Sequence, residues 1–590
     1  MEQLLSFYND QIRNHEAHLA KVKNQLLVSS IMRLLVFVGA GFGVYATFGT
    51  LKWVMAVILV AIILFLFLIS RHTDLRYKKE KLQAIIKINR TEIDVLARKF
   101  HNLPDGSQFV DPQHYFSQDI DLFGKGSFYQ YCNRTTLQQG SETLAGLFLS
   151  NVITDIHPKQ EAIQELAKIP EWRQEFSAIA TLVKTETPYY SIIKWLHAYQ
   201  RFVPKTMKLL PMVFSIISLG VISGYFLGFL PGWPLLIWFF TGLGITGRYF
   251  KPITKLSSDT SKIQGTFHQY QKLILEIEKL DFKSSLLVEK RSKVMEGKRK
   301  TSDLLKEFSR ILNALDQRNN MLFGFLGNAF LLWDLQQSYK IERWIEEHRW
   351  AVEQWFETIA FFDAYNTLGN FKFNHPDYTF PELSNDATVV LNSKGAGHPL
   401  LDPQKSVRND MVINADQFFI ITGANMAGKS TFLRTVSLQI VMANIGLPVC
   451  ATSLTYRPIK LITSMRTTDS LTDDESYFFS ELKRLKFIVD EIQNDRYFIV
   501  LDEILKGTNS TDKAIGSRKF VEKLVGSNAT GIIATHDLSL CEASEEIPQI
   551  ENHYFDAEII DDELHFDYRF KKGICQNMNA SFLLKKMEIV

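Results

Sequence analysis

"ITGANMAGKST", residues 421–431, sets Gly423, four residues, then Gly428, Lys429 and Ser430. That is the spacing of a phosphate-binding loop, and its context decides whether the spacing means anything. "QFFIITG" (417–423) predicts a buried strand ending at the first glycine, and "KSTFLRTVSLQIVMANIG" (429–446) predicts a helix that follows at once. Strand, glycine-rich loop and helix together make an anion cradle, because the loop and helix N-terminus aim unpaired backbone N–H groups at one point. Gly423, Ala424, Asn425, Met426, Ala427 and Gly428 then form the cradle, with Thr431 just inside the helix. Lys429 is placed to neutralise β- and γ-phosphate charge and Ser430 to ligate Mg²⁺, with ATP as the nucleotide.

Two further strands complete the chemistry. "RYFIVLDE" (496–503) ends in two carboxylates. Asp502 suits the Mg²⁺ shell and Glu503 suits polarising the attacking water, the two needs of phosphoryl transfer. After a polar turn, "GTNSTD" (507–512), comes "GIIATHD" (531–537), whose His536 is positioned at a strand end to sense or stabilise a γ-phosphate.

These residues also carry a resemblance. "TGANMAGKSTFLR", with its Asn425-Met426 pair, resembles the loop of the MutS mismatch-repair ATPases. "GHPLLDPQKSVRNDMVIN" (397–414) is similar to their His-Pro entry segment and Asn-Asp pair, and "MANIGLPVCA" (442–451) to the segment after their first helix. "RTTDSLTDDESYFFSELKRLKFIV" (466–489) resembles their signature region, with Asp469-Ser470-Leu471, Ser476, Phe478 and Glu481 in register. "LDEILKGTNSTD" and "ATHDLSL" match the acidic and histidine strands. Upstream, "DLFGKGSFYQYCNRTTLQQGSETLAGLFL" (121–149) and "KQEAIQELAKIPEWRQEF" (159–176) look like the helical core of that family. The resemblance implies an ABC-type ATPase that works as a head-to-tail homodimer with composite ATP sites. Ser476 would meet the γ-phosphate held by the opposite subunit, Asn425 would help place the attacking water, and DNA would be the partner.

Departures bear on that last point. The Phe-x-Glu mismatch wedge and its N-terminal domain have no counterpart, and "SFYQY" (127–131) has no glutamate at the right place. No strand-rich clamp is evident between 255 and 370, the glycine usual before the signature serine is replaced in "DDES", and the nuclease domain of the shorter MutS branch is missing. Two functions stay open: a switch acting on DNA, in mismatch repair or on another DNA structure, and a membrane ATPase for signalling or assembly with no nucleic-acid ligand. A transporter is disfavoured because the Leu-Ser-Gly-Gly signature is absent.

Long uncharged runs set the second theme. Between Arg33 and Lys52, and again between Lys52 and Arg71, lie 18 residues without a charge, and 39 lie between Lys208 and Arg248 around "PGWP" (231–234). A bilayer core needs about 20 apolar residues per helix, so these predict two transmembrane hairpins, the second with spans near 209–229 and 233–247. Lys and Arg flank both hairpins from outside while only Lys52 sits in a turn, which places the large segments on the cytoplasmic side of the inner membrane. The N-terminus lacks a signal-peptide layout, so cleavage and export are not expected. Four scattered cysteines, Cys132, Cys450, Cys541 and Cys575, argue against a zinc site or disulfide framework. With 66 Lys+Arg against 64 Asp+Glu, overall charge is silent about nucleic acid. "EKRSKVMEGKRK" (289–300) is basic, and is expected to be a solvated face of a long helix more than a DNA contact.

The expected organisation is an N-terminal cytoplasmic helix (1–30), a first transmembrane hairpin (31–71), a helical MutS-core-like region (72–207), a second hairpin (208–248), a helical lever-like region (249–384) and a MutS-type α/β P-loop ATPase domain (385–590).

Overall fold

The structure, a computed structural model, describes residues 2–183, 187–295, 299–424, 426–466, 477–560 and 563–576. Two helices dominate its N-terminal part, α1 (Glu2–Ala46) and α2 (Leu51–Leu96), which fold back on each other around a short turn. Both are long and apolar enough to cross a membrane, and their most apolar windows are 6% and 0% buried. A core helix would bury such a stripe; these leave Phe37, Phe42, Trp53, Leu64 and Phe67 open. The other ends of the pair are polar and anchored. Tyr8 donates to Asn374 (2.6 Å), Asn374 donates to Glu92 (2.8 Å), and Arg134 pairs with Glu92 (2.7 Å).

The helical body follows as α3 (Phe128–Cys132), α4 (Gln138–Leu149), α5 (Ile156–Ala167), α6 (Pro170–Thr181) and α7 (Tyr189–Ala198). The second apolar hairpin comprises α8 (Leu210–Phe226) and α9 (Gly232–Gly247), close to the expected bounds. Then come α10 (Phe250–Lys279), α11 (Ser285–Ser292), α12 (Thr301–Asp316), α13 (Met321–Leu331), α14 (Trp333–His348) and α15 (Ala351–Asn374).

Two features of this region differ from the sequence reading. The basic run at 289–300 does not lie on a long helix: α11 ends at Ser292, Arg291 pairs with Asp281 (2.9 Å), and Arg299 pairs with Glu307 (2.7 Å). Local acids occupy much of its charge, which weakens it as a phosphate-binding face. The other is α13, "MLFGFLGNAFL", a third apolar helix that packs on α9 and α8. Gly242 of α9 lets the Ala329 backbone approach so closely that a Cβ would collide with it, and Phe239 meets Phe330 edge-on at 5.8 Å. Met321, Leu322 and Phe325 face outward, more than half exposed.

Helix α15 is the axis of the body, buried along most of its length against α4, α5 and α6. Its Asp363 accepts from the backbone N–H of Thr136 and Leu137 (3.0 and 2.9 Å), groups that the start of α4 would otherwise leave without partners. Gly140 makes room for that carboxylate.

The C-terminal part is α/β. Strands β1 (Glu382–Leu383), β2 (Val389–Ala396) and β3 (Asn409–Asn414) join β5 (Ser453–Tyr456) in a four-stranded sheet ordered β1-β5-β2-β3, which precedes and flanks the nucleotide fold. A six-stranded sheet contains β4 (Phe418–Gly423), β6 (Lys460–Ser464), β7 (Tyr497–Asp502), β8 (Thr530–Ala534), β9 (Ile550–Phe555) and β12 (Lys571–Lys572). Its order is β12-β9-β4-β8-β7-β6, all parallel except the edge strand β12. Strands β10 (Ala557–Ile560) and β11 (Glu563–Phe566) form a separate hairpin. The helices here are α16 (Lys429–Asn444), α17 (Tyr477–Glu491), α18 (Ser510–Gly526) and a short α19 (Ala543–Glu546). Every residue of β4 is buried, as befits a parallel strand covered on both faces. The described residues between 250 and 374 form no strand.

One hydrophobic core runs from the helical body into the sheet. Asn151 donates to the Leu461 carbonyl and accepts from its N–H, both at 2.9 Å, so the body extends the edge of β6. Replacing Asp363 by Ala strands two N–H donors in the core. It should destabilise the protein by about 1–3 kcal/mol, visible as a lower unfolding midpoint of the purified protein.

Candidate active site

In a parallel sheet the loops after adjacent strands open on the same edge, and ligands bind there. Neighbours β4, β8 and β7 deliver the phosphate loop, His536 and the Asp502-Glu503 pair to that edge. Gly423 has φ +145 and a Cβ there would strike the Phe555 carbonyl. Gly428, at φ +104, lies beneath the Tyr568 ring, a second place where only glycine is free of strain. Met426 sits at φ +66 with its side chain 78% exposed.

Lys429 is buried, and its Nζ donates to the carbonyls of Gly423 (2.8 Å) and Ala424 (3.0 Å), so the lysine folds over the loop it belongs to. Burial pulls its ammonium below the ordinary lysine range, with Asp502 and Glu503 opposing that pull. Ser430 Oγ donates to Asp502 at 2.7 Å. A hydroxyl and a carboxylate oxygen so placed are the hard donors that Mg²⁺ prefers, so this pair fits the ion. Burial raises the Asp502 carboxyl, and the Ser430 hydrogen bond counters it.

Glu503 lies one residue beyond β7 with φ +48, its N–H donating to Ala534 of β8 (2.9 Å). Its carboxylate meets His536 Nε2 at 2.9 Å and Lys506 Nζ at 3.6 Å. The His536 hydrogen bond holds the carboxyl down at about 2, with Lys506 assisting. Thr535 fixes the histidine's approach, its N–H donating to Ile421 of β4 (2.9 Å) and its hydroxyl accepting from Asp537 N–H (3.0 Å). His536 also stands 3.4 Å from Lys429 Nζ.

The structure thus gathers Gly423, Ala424, Met426, Ala427, Gly428, Lys429, Ser430, Thr431, Asp502, Glu503 and His536 on one edge. Asn425 and Ser476 lie outside the described residues. Three contributors were not singled out from the sequence. Lys506 stands three residues after Glu503 in "DEILK", a spacing that could have suggested it. Tyr568 reaches the loop from a distant turn, held where Asn409 donates to the Tyr568 carbonyl (3.0 Å) and accepts from Phe570 N–H (2.8 Å). That gives the Asn-Asp segment before the loop a mechanical task.

The third contributor is a set of arginines behind the site. Arg434 of α16 pairs with Asp121 (2.8 Å), and Arg466 grips both oxygens of the same carboxylate. Asp119 accepts from Arg466 N–H (2.8 Å) and Thr463 Oγ1 (2.5 Å). Arg484 of α17 donates to the carbonyls of His114 (3.0 Å) and Tyr115 (2.6 Å). Residues 113–121 of the helical body are therefore tied to three parts of the nucleotide domain.

With this geometry established, comparison with known proteins is informative. Residues 419–586 match the family model described as MutS domain V. The C-terminal segment is a MutS-type P-loop ATPase domain. The MutS-like segment is 31% identical over 217 residues to the DNA mismatch repair protein MSH4 of Arabidopsis thaliana, covering 36% of this chain and 27% of that protein. It is 31% identical over 257 residues to MutS protein homolog 4 of Homo sapiens (42% and 26%). It is 32% identical over 213 residues to the DNA mismatch repair protein MutS of Thermotoga maritima (35% and 26%). The matched region spans about a quarter of the length of these curated relatives. Domains of this kind use ATP with Mg²⁺.

Two outcomes test the assignments of the MutS-type site. Lys429→Ala should weaken binding of a fluorescent ATP analogue by about ten-fold or more, since it removes a buried, charge-assisted phosphate contact. The second concerns pH. With His536 in place the Glu503 carboxyl ionises near 2, below its ordinary 4.5. Without that hydrogen bond it moves back up, so kcat/KM of His536→Ala, which reports the free enzyme, should fall off at a higher pH than that of the unmodified protein, as pH–rate profiles would reveal.

Proposed function

We propose that this protein is a membrane-anchored, MutS-like ATPase that binds and hydrolyses ATP to switch a homodimer, with DNA as the ligand it acts on. The observation that carries the switch is the chain of contacts Lys429–His536–Glu503 beside Ser430–Asp502. Lys429 donates to two loop carbonyls, and a ring nitrogen of His536 meets the Glu503 carboxylate. A γ-phosphate offers both side chains a stronger partner. Drawn to it, His536 leaves Glu503, whose carboxylate rises from its depressed range and becomes a better acceptor for the attacking water's proton. Mg²⁺, held by Ser430 and Asp502, supplies neutralisation of phosphate charge when bound. Asn425 and Ser476 keep the roles the family resemblance implies, water placement and contact across the dimer.

Support for DNA comes from the relatives, whose names include DNA mismatch repair proteins. A second reading, a membrane ATPase without nucleic acid, is favoured by the helical region at 250–374, whose described residues form no strand, and by the locally paired basic run. Anchoring is supported by the exposed apolar windows of α1 and α2 and by the packed apolar unit α8–α9–α13. At 17, 16 and 11 residues the last three are short, so mutual packing and partial insertion suit them better than three full crossings.

Glu503→Gln should keep ATP binding, slow turnover by about 10²-fold or more, and trap the closed dimer on size-exclusion chromatography. Turnover unchanged in that variant would remove Glu503 from the mechanism. Duplex, mismatched or branched DNA should stimulate hydrolysis, with binding that weakens steeply as salt rises; if only lipid or a protein partner alters turnover, the second reading stands. Alkaline carbonate should leave the protein in the membrane pellet, and a Phe325→Trp variant should be quenched by brominated lipid. Release by carbonate together with an unquenched tryptophan would refute the anchor.

A further inference from the structure

We propose that Glu481, on the first turns of α17, is a positioning residue that holds the Glu503 loop in its working conformation. The inference rests on the ATPase reading and names a group acting through Glu503. Glu481 is 3% exposed and lies 22 residues before Glu503 in sequence, on a different element. Each of its carboxylate oxygens accepts one backbone N–H, Oε1 from Leu505 (2.6 Å) and Oε2 from Lys506 (3.1 Å).

Those two N–H groups need such a partner because of how the chain turns there. Glu503 has φ +48 and Leu505 φ +60, two left-handed residues, neither of them glycine, within three positions. Such conformations persist only where the surroundings over-determine them. At its start the loop is pinned by the hydrogen bond from Glu503 N–H to Ala534 of β8. At its other end Glu481 closes it, and Phe478, on the same face of α17 one turn earlier, packs so tightly on Gly507 that a Cβ would collide. Leu505 is buried against Gly516 of α18. The loop therefore hangs between β8, at Glu503 itself, and α17, at Leu505 and Lys506.

The same contacts reach the carboxylate of Glu503. Lys506, whose N–H is bound by Glu481, places its Nζ 3.6 Å from Glu503. Burial raises the Glu481 carboxyl, and the two N–H donors oppose that rise. Since α17 begins directly after Ser476 in the chain, a displacement of this helix shifts Lys506 and turns Glu503 relative to His536.

Gln at 481 keeps the shape but turns one acceptor into an NH₂ group facing a backbone N–H. The test uses the full-length, detergent-solubilised protein in four forms: unmodified, Glu481→Gln, Glu503→Gln and the double variant. Turnover, affinity for a fluorescent ATP analogue and unfolding midpoint are measured on each. A positioning role predicts that Glu481→Gln lowers kcat about ten-fold or more while ATP affinity stays within about two-fold, because the phosphate loop is untouched. It also predicts that the double variant turns over no more slowly than Glu503→Gln alone, since both changes act through one group. The proposal is overturned if Glu481→Gln keeps full kcat, if kcat, affinity and unfolding midpoint fall together, or if the two losses multiply. An active Glu503→Gln overturns the catalytic reading itself, whereas an inactive Glu503→Gln beside a fully active Glu481→Gln overturns only the role of Glu481.

Discussion

The paired carboxylates of Asp119 and Asp121 hold the molecule together as one machine. Asp119 is buried and accepts from the backbone of Arg466 and the hydroxyl of Thr463, while Asp121 takes both Arg434 and the fork of Arg466. Planar guanidinium groups facing carboxylates in this way give direction as well as energy. Arg434 belongs to the helix that starts at the phosphate loop, and Arg466 follows the strand at the far side of the sheet. A short segment of the helical body is thus tied to two flanks of the nucleotide domain at once. Asp121 itself is about two-fifths exposed, so its pairs add less to stability than to alignment.

At the nucleotide edge, charged side chains are partnered within the protein. Loop carbonyls of Gly423 and Ala424 accept from Lys429, and the Glu503 carboxylate meets His536. A buried lysine without partners would be costly; here it has partners that are weaker than a phosphate, which leaves the site stable and ready to exchange them. The depressed Glu503 carboxyl is part of this balance: while His536 holds it, it is a poor proton acceptor.

Much of this was legible in the chain. The phosphate loop, its strand and helix, the acidic strand and His536 each follow a local pattern, and parallel neighbours bring such strand ends together whatever else the protein does. The hairpin α8–α9 was legible because Pro231 and Gly232 interrupt an uncharged run. What escaped depends on distance along the chain. Helix α13 is too short to stand out as a span, and only the close approach of Gly242 to Ala329 explains its place. Tyr568 arrives from a turn some 140 residues after Gly428, and Glu481 serves N–H groups whose need for a partner exists only once Glu503 and Leu505 take left-handed backbone. The end of α11 at Ser292 was hidden too, since basic residues continue past it.

Helix α2 has a consequence of its own. Its 46 residues contain neither proline nor glycine, and at 1.5 Å per residue it is a continuous rod of about 70 Å. One end turns back at the apolar hairpin; just past the other, Arg98 donates to the carbonyls of Pro399 and Leu401 (both 2.8 Å), in the segment that leads into the nucleotide domain. Along its shaft Asn89 exchanges hydrogen bonds with Gln174 at 3.0 Å, a fulcrum on the helical body. A stiff rod with a fulcrum converts a small rotation at the short arm into a larger sweep at the long one. The apolar turn near residue 50 and the segment that enters the nucleotide domain at residues 399–401 are thus joined by one uninterrupted helix, and neither end moves far without the other.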